Sequence, residues 1–454
     1  CTLENNQSRW NAHGVALATG SSRCTVADNT IVDNAQCGVL VQTSDYHSIG
    51  VPPAAGNLIS GNGGDGIRLR RAHHCTLMGN LVGTTSDGGG SKSNGGHGIA
   101  LENGSHDNEI GDINFANPNI LSGNSAFGIA TLSNDASCNV IVGNRIGTDL
   151  TGDAAVPNGA GGVLLRSPCN RIGGSELAAR NIISGNRGPG VWVDGSDASL
   201  TSIQGNYIGV DSSGSSALPN GVPGGRDITD GLLVEQAAAT LVGGTDEGSG
   251  NIISGNTGNG IRIAQVNGEE QGMRIVGNRI GTDASGSNAL ANGANGILVD
   301  RSSNVAIGED TSHAGNLISG NLLGGVCVAG AASQDVVICH NQIGLNCNGD
   351  SVLGNAASGV RIEDGAARNR IGPLNAIAGN TCNGITIAGD TTNRNRVTRN
   401  AIYANGSAGI KLIDGGNDSV PTPVIGGCQV YGSSILGMSG FHAGSNATVE
   451  VYAV

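Results

Sequence analysis

The sequence predicts an all-β fold: a solenoid of about thirteen coils, each built from three short parallel strands. Three observations predict it. First, an Asn is followed two residues later by Ile, Leu or Val at Asn29, Asn57, Asn80, Asn119, Asn144, Asn181, Asn206, Asn251, Asn278, Asn316, Asn341, Asn375 and Asn400. Second, each of these is soon followed by a Gly-aliphatic-x-aliphatic run, as in Gly162-Val163-Leu164-Leu165. Third, 79 of 454 residues are Gly and only 2% are aromatic. A conventional sandwich or α/β core uses more large rings, and the glycines lack the period of three that collagen needs.

The first strand of each coil opens on a Gly: 14, 38, 66, 98, 128, 162, 190, 231, 260, 296, 325, 359, 384 and 409. Two aliphatic residues flank one outward residue, the period-two pattern of a strand. The second strand follows a polar corner, as in Asn170-Arg171-Ile172-Gly173, and the third is the Asn-x-aliphatic run, as in Asn181-Ile182-Ile183. No segment carries ten or more residues at a helical period.

Two coil types alternate. Short coils end in Ser-Gly-Asn, as at Ser60-Gly61-Asn62, Ser184-Gly185-Asn186 and Ser254-Gly255-Asn256. Long coils carry an insertion, Gly-Thr-Asp-x-x-Gly, with Asn-Gly nine residues after the Asp: Asp149 and Asn158, Asp211 and Asn220, Asp283 and Asn292. Thr85 with Asn94 and Asn346 with Asn355 are degenerate versions. The five insertions fall at the same turn of every second coil and are expected to line one side of a rod roughly 60 Å long, at roughly 4.8 Å per coil. The solenoid is expected over residues 1–413. Residues 414–454 read as a linker and a strand segment ending in Ala447–Tyr452, the start of a β-sandwich or a cap. Neither end of the repeat reads as a cap, so the chain is expected to come from something longer.

The formal net charge is −13. That argues against nucleic acid and anionic lipid as partners, because both require basic surface. No apolar stretch approaches membrane-spanning length. The 11 Cys include no C-x-x-C pair, so zinc spacing is absent. Cys1 and Cys24 occupy one column of adjacent coils, where a disulfide is geometrically allowed.

These repeats, Asn-x-Ile-Gly-Thr-Asp-x-x-Gly and Asn-Ile-Ile-Ser-Gly-Asn, resemble the right-handed parallel β-helix class, the pectin-lyase-like superfamily, and within it bacterial surface proteins. The resemblance covers residues 1–413. It implies a right-handed β-helix and a secreted or cell-surface location, often beside Ig-like modules; it says little about function.

Each feature has a structural and a functional reading. The Asn column, at period two from a buried aliphatic, is expected to point inward and stack its amides. A second inward column runs Cys24, His47, Cys75, Asn108, Asn139, Asn170, Thr201, Thr240, Met273, Val305, Val336, Asn369 and Asn395; His47 reads as a packed histidine rather than a metal ligand, because no fourth ligand is at hand. No cofactor is expected. Calcium at the Asp insertions stays as the alternative, although Asp149 and Asp211, two coils or roughly 10 Å apart, cannot share an ion and Asx turns explain the pattern without metal. Gly96-His97-Gly98 matches one short polygalacturonase motif, yet it aligns with Asn158-Gly-Ala-Gly-Gly in the repeat and lacks the carboxylate clusters of those enzymes.

The outer face of the first strands carries the candidate site. Trp192 stands there with Arg166, Asp194, Glu235, Arg262 and Asp300. An aromatic face beside charged groups suits a sugar-binding groove. The resulting reading is a non-catalytic extracellular or cell-surface rod with structural or adhesive duty and polysaccharide or other surface proteins as partners. One competing reading is a carbohydrate-active enzyme (a lyase, epimerase or glycosidase) in which Asp194 and Glu235 form a carboxylate pair. Another is a filament or surface-layer subunit that self-associates through the rod ends.

Overall fold

The structure is a computed structural model describing residues 1–50, 56–113, 117–221, 228–268, 272–311, 313–419, 427–431 and 434–439. It is a right-handed parallel β-helix. Three parallel sheets of 14 strands each run its length. Sheet 1 extends from Val15–Leu17 to Ile410–Ile413, sheet 2 from Thr2–Glu4 to Arg396–Val397, and sheet 3 from Gln7–Ser8 to Ala401–Tyr403. Each strand pairs in register with its counterpart one coil on, as Val191, Trp192, Val193 and Asp194 pair with Leu232, Leu233, Val234 and Glu235. There are therefore fourteen coils rather than thirteen. The additional one is headed by Asn6, whose amide Nδ2 donates to Asn29 Oδ1 at 2.9 Å although no aliphatic residue stands two positions after it.

The core is a continuous column of aliphatic side chains from all three sheets. Ile31, Ile59, Val82, Leu121, Ile146, Ile183, Ile208, Ile253, Ile280, Ile318, Ile343 and Ile377 are all fully buried. The Gly that opens each sheet 1 strand is demanded by close approach. A Cβ on Gly162 would lie 2.4 Å from the Gly190 carbonyl oxygen and 2.5 Å from Ile183 Cγ2.

The Asn column stacks as expected. From Asn6 to Asn400 each Nδ2 donates to the Oδ1 one coil on, at 2.7–3.1 Å. A second, equally long ladder runs through Asn11, Asn34, Asn62, Asn94, Asn124, Asn158, Asn186, Asn220, Asn256, Asn292, Asn321, Asn355, Asn380 and Asn405. It joins the Asn of each Ser-Gly-Asn turn to the Asn that closes the next insertion, so both coil types keep one core. The second inward column is buried throughout. In it His47 Nδ1 accepts the Cys24 N–H at 3.2 Å, which makes Nε2 the donor to Ser44 Oγ at 2.8 Å; the histidine is packed and neutral, its pKa lowered by burial. Cys1 and Cys24 form a disulfide with a Cα–Cα distance of 4.5 Å.

After Ile413 the strands leave the repeat: Gly427–Tyr431 pairs antiparallel with Ser434–Ser439. The expected strand Ala447–Tyr452 lies outside the described residues.

Candidate functional site

Each sheet 1 strand turns one side chain to the outside, flanked by two core residues. Val191 and Val193 are fully buried around Trp192. The arginines of this face are neutralised by carboxylates of the same or a neighbouring coil. Arg166 Nε lies 2.7 Å from Asp194 Oδ2, and Arg262 Nη2 lies 2.9 Å from Asp300 Oδ2, with Arg301 Nε 3.0 Å from Asp300 Oδ1. Arg68 lies between Asp65 and Glu102, Arg70 also reaches Glu102, and Arg361 pairs with Glu363. Burial disfavours the charge of Asp300, but the hydrogen bonds from Arg301 and Arg262 outweigh it and hold the carboxyl below its ordinary value. That is the wrong direction for a general acid at neutral pH.

The six residues singled out from sequence do lie on one face. Asp194 and Glu235 are register partners on adjacent strands, and Asp300 pairs in register with Ala264, the partner of Glu235. Trp192 differs from expectation. It is 9% exposed and belongs to a small second core outside the sheet, with Phe127, Leu164, Leu233 and Ala264 along the axis and Leu132 and Ile228 against them. Period two separates inward from outward residues, but it does not report whether the outer side is covered. The Trp192 Nε1 and Arg262 Nε atoms are buried there without a hydrogen-bond partner. His97, which stacks on Phe127 at 6.2 Å, continues this cluster and donates its backbone N–H to Asp65 Oδ1 at 2.7 Å.

The insertions build a different surface. All five, the degenerate two included, close with the same antiparallel bridge: Thr84 with Ser91, Thr148 with Ala155, Val210 with Ala217, Thr282 with Ala289 and Leu345 with Val352. Asp149 Oδ1 accepts N–H groups of Gly152, Asp153 and Ala154 at 2.9–3.2 Å, the Asx turn expected. Asp211, Asp283 and Asn346 do the same for their own loops. The Ser of each preceding short coil fastens the root; Ser184 Oγ, for example, donates to the Val210 carbonyl and accepts the Gly209 N–H. Loops two coils apart then join: Ser212 Oγ donates to Asp153 Oδ1 at 2.6 Å, Ala284 N–H to Gly214 O at 2.9 Å, and Cys347 N–H to Gly286 O at 2.9 Å. The result is a continuous ridge.

Between this ridge and the sheet 2 to sheet 3 turns at 244–250 and 313–315 lies a groove of about 830 Å³. Its floor is the outer face of sheet 3, where Tyr207, Ile252, Arg279, Leu317 and Gln342 follow one another coil by coil. The Arg180 guanidinium sits 4.0 Å from the centre of the Tyr207 ring. No sequence motif marks this groove. Its floor residues are the x of the Asn-x-aliphatic motif, the variable outward neighbours of the repeating inward column.

Among the described residues no group of three His, Cys, Asp or Glu side chains is placed to hold a metal ion. The densest histidine cluster stacks the His73 and His106 rings at 3.8 Å with a 23° interplanar angle.

A family model described as "Periplasmic copper-binding protein (NosD)" matches residues 1–118. No curated protein sequence matches the chain. Among solved structures, a point mutant of the periplasmic alginate epimerase AlgG is 11% identical, covering 88% of this chain and 74% of its own, with a TM-score of 0.32. The Azotobacter vinelandii mannuronan C-5 epimerase AlgE4 A-module is 16% identical over 84% of this chain and 89% of its own, TM-score 0.29. PfbA, a surface adhesin of Streptococcus pneumoniae, is 13% identical over 82% and 84%, TM-score 0.27.

Proposed function

We propose that this chain is a non-catalytic rod of the periplasm or cell surface that presents its outer faces to polysaccharide or surface-protein partners. In this reading residues 1–413 form the rod and residues 414–454 are a linker and β-strand segment, the start of a β-sandwich or a cap. The observation that carries the proposal is the mutual neutralisation of the sheet 1 face. Arg166, Arg262 and Arg361 each pair with a carboxylate beside them. An active site needs an acid, a base and a charge stabiliser held ready for substrate around one point; here the arginines that would stabilise a developing charge are already engaged, and Trp192 is occupied by packing. The periplasmic description of the matched family supports a location outside the cytoplasm.

Copper finds no fitting donor set among the described residues. Imidazole lone pairs lie in the ring plane, so rings stacked as His73 and His106 are do not aim them at one point. The Asp107 carboxylate, moreover, is already bonded to His106 Nδ1 at 2.7 Å.

The test is incubation with a panel of acidic polysaccharides, following chain cleavage and epimerisation by NMR. No turnover is expected. Turnover that disappears in Asp194→Asn combined with Glu235→Gln would overturn the reading in favour of an enzyme.

A further inference from the structure

We infer that the groove on the outer face of sheet 3 is a binding site for a linear oligosaccharide bearing carboxylate groups. The inference rests on the non-catalytic reading above and gives that reading a ligand class and a place.

Charge is the first observation. The protein is acidic, and the arginines of sheet 1 are paired with carboxylates. Arg180, in the turn before its sheet 3 strand with its guanidinium over Tyr207, and Arg279, on the groove floor, have no ion-pair partner among the described residues. Each is instead anchored to a main-chain carbonyl: Arg180 Nε donates to Gly205 O at 3.2 Å, and Arg279 Nη1 to Ala284 O at 2.6 Å. Anchored, half-buried guanidiniums with donors to spare are suited to carboxylate recognition.

Spacing is the second. Tyr207, with Arg180 over its ring, and Arg279 are two coils apart on sheet 3, about 10 Å at strand spacing. From Tyr207 to Gln342 the floor runs four coil steps, about 19 Å, parallel to the rod. An extended chain lying along the axis meets Tyr207, Ile252, Arg279, Leu317 and Gln342 in turn, one per coil step. The volume falls within the range of ordinary ligand sites.

The lining favours sugar over peptide. A peptide is commonly captured on an open strand edge or on an apolar groove. This floor is a sheet face whose strands are paired on both sides, and its walls carry Asp246 and Glu247, exposed acceptors for hydroxyl groups. Carboxylates of the ligand face the two arginines while its hydroxyls face the wall.

The experiment is calorimetric titration of the full chain with three probes: a hexuronate hexamer, a neutral glucose hexamer and a hexamer of L-glutamate. The hexuronate is expected to bind, and Arg180→Ala and Arg279→Ala, made separately, are each expected to weaken it tenfold or more. Arg396→Ala, an exposed arginine away from the groove, is expected to leave affinity unchanged. Should one groove variant fail to fold, the other together with Arg279→Lys still decides the question. The inference is overturned if no hexuronate binds, if the glucose hexamer binds equally well, if the glutamate hexamer binds as tightly, or if the groove variants bind like the parent. Each of these leaves the non-catalytic reading standing, because that one fails only on turnover.

Discussion

Replacing Asn181 by Ala tests the reasoning behind the whole rod. This side chain is fully buried. Its Nδ2 donates to Asn206 Oδ1 at 2.8 Å and to the Ile141 carbonyl at 2.9 Å, while its Oδ1 accepts from the Asn144 backbone N–H at 2.9 Å and from Asn144 Nδ2 at 3.0 Å. Truncation leaves the Asn144 N–H without its ladder partner and takes one bond each from the Ile141 carbonyl, the Asn144 amide and Asn206 Oδ1. An orphaned buried donor costs about 1–3 kcal/mol and a lost bond about 1 kcal/mol. The sum is about 4–6 kcal/mol, before any term for the space left behind. Arg166→Ala removes an ion pair on a half-exposed side chain, worth about 0–1 kcal/mol, and serves as the control. Because a repeat array can open coil by coil, the readout must be local. Hydrogen exchange followed by mass spectrometry is expected to show lost protection in peptides spanning 139–147, 170–184 and 202–209, with coils near 340–400 unchanged. If Asn181→Ala costs no more than Arg166→Ala, or if the loss of protection spreads evenly along the chain, the ladder is not what holds neighbouring coils together.

Other predictions follow from the same geometry. Trp192→Ala is expected to lower stability by about 3–5 kcal/mol, as for a large buried ring, measured by denaturant unfolding; a change in glycan retention with no loss of stability would contradict its burial. Burial raises the carboxyls of Asp149, Asp211 and Asp283, but hydrogen bonds from their own loops outweigh it and hold them below the ordinary 3.8. A depressed folded-state pKa stabilises above the unfolded value and is lost as pH falls through the folded one. The insertion ridge should therefore loosen below about pH 4, seen as faster proteolysis of the loops, and an Asp283→Asn variant should lose part of that acid sensitivity. Reducing Cys1–Cys24, which closes 23 residues, is expected to cost about 3 kcal/mol in the first coil, with exchange protection falling at Thr2–Glu4 and Thr25–Ala27 and nowhere distant.

How far the structure could be read from sequence depended on the kind of order involved. The inward Asn column and its buried partners were legible because both repeat in every coil, and stacking is the arrangement that satisfies a buried amide. The second ladder was harder to see. Asn186 sits in a tight turn and Asn220 ends an insertion, so two local contexts hid one spatial column. The packed state of Trp192 was not legible, because it depends on Phe127 and Ile228, from different coils, joining one cluster with it above the sheet. The groove was hidden for a different reason: Arg180 precedes one ladder Asn and Arg279 follows another, so only the three-dimensional stack brings both into one groove with Tyr207.

The joining of insertions across two coils has a consequence for how such a chain changes length. The core repeats with every coil, so adding or removing one coil would leave both amide ladders and the aliphatic column continuous. The ridge repeats with every second coil, through contacts such as Ala284 to Gly214 and Cys347 to Gly286. A single-coil gain or loss would set two insertions side by side or leave a gap between them. The natural unit of duplication, and of any engineered lengthening, is therefore a pair of coils.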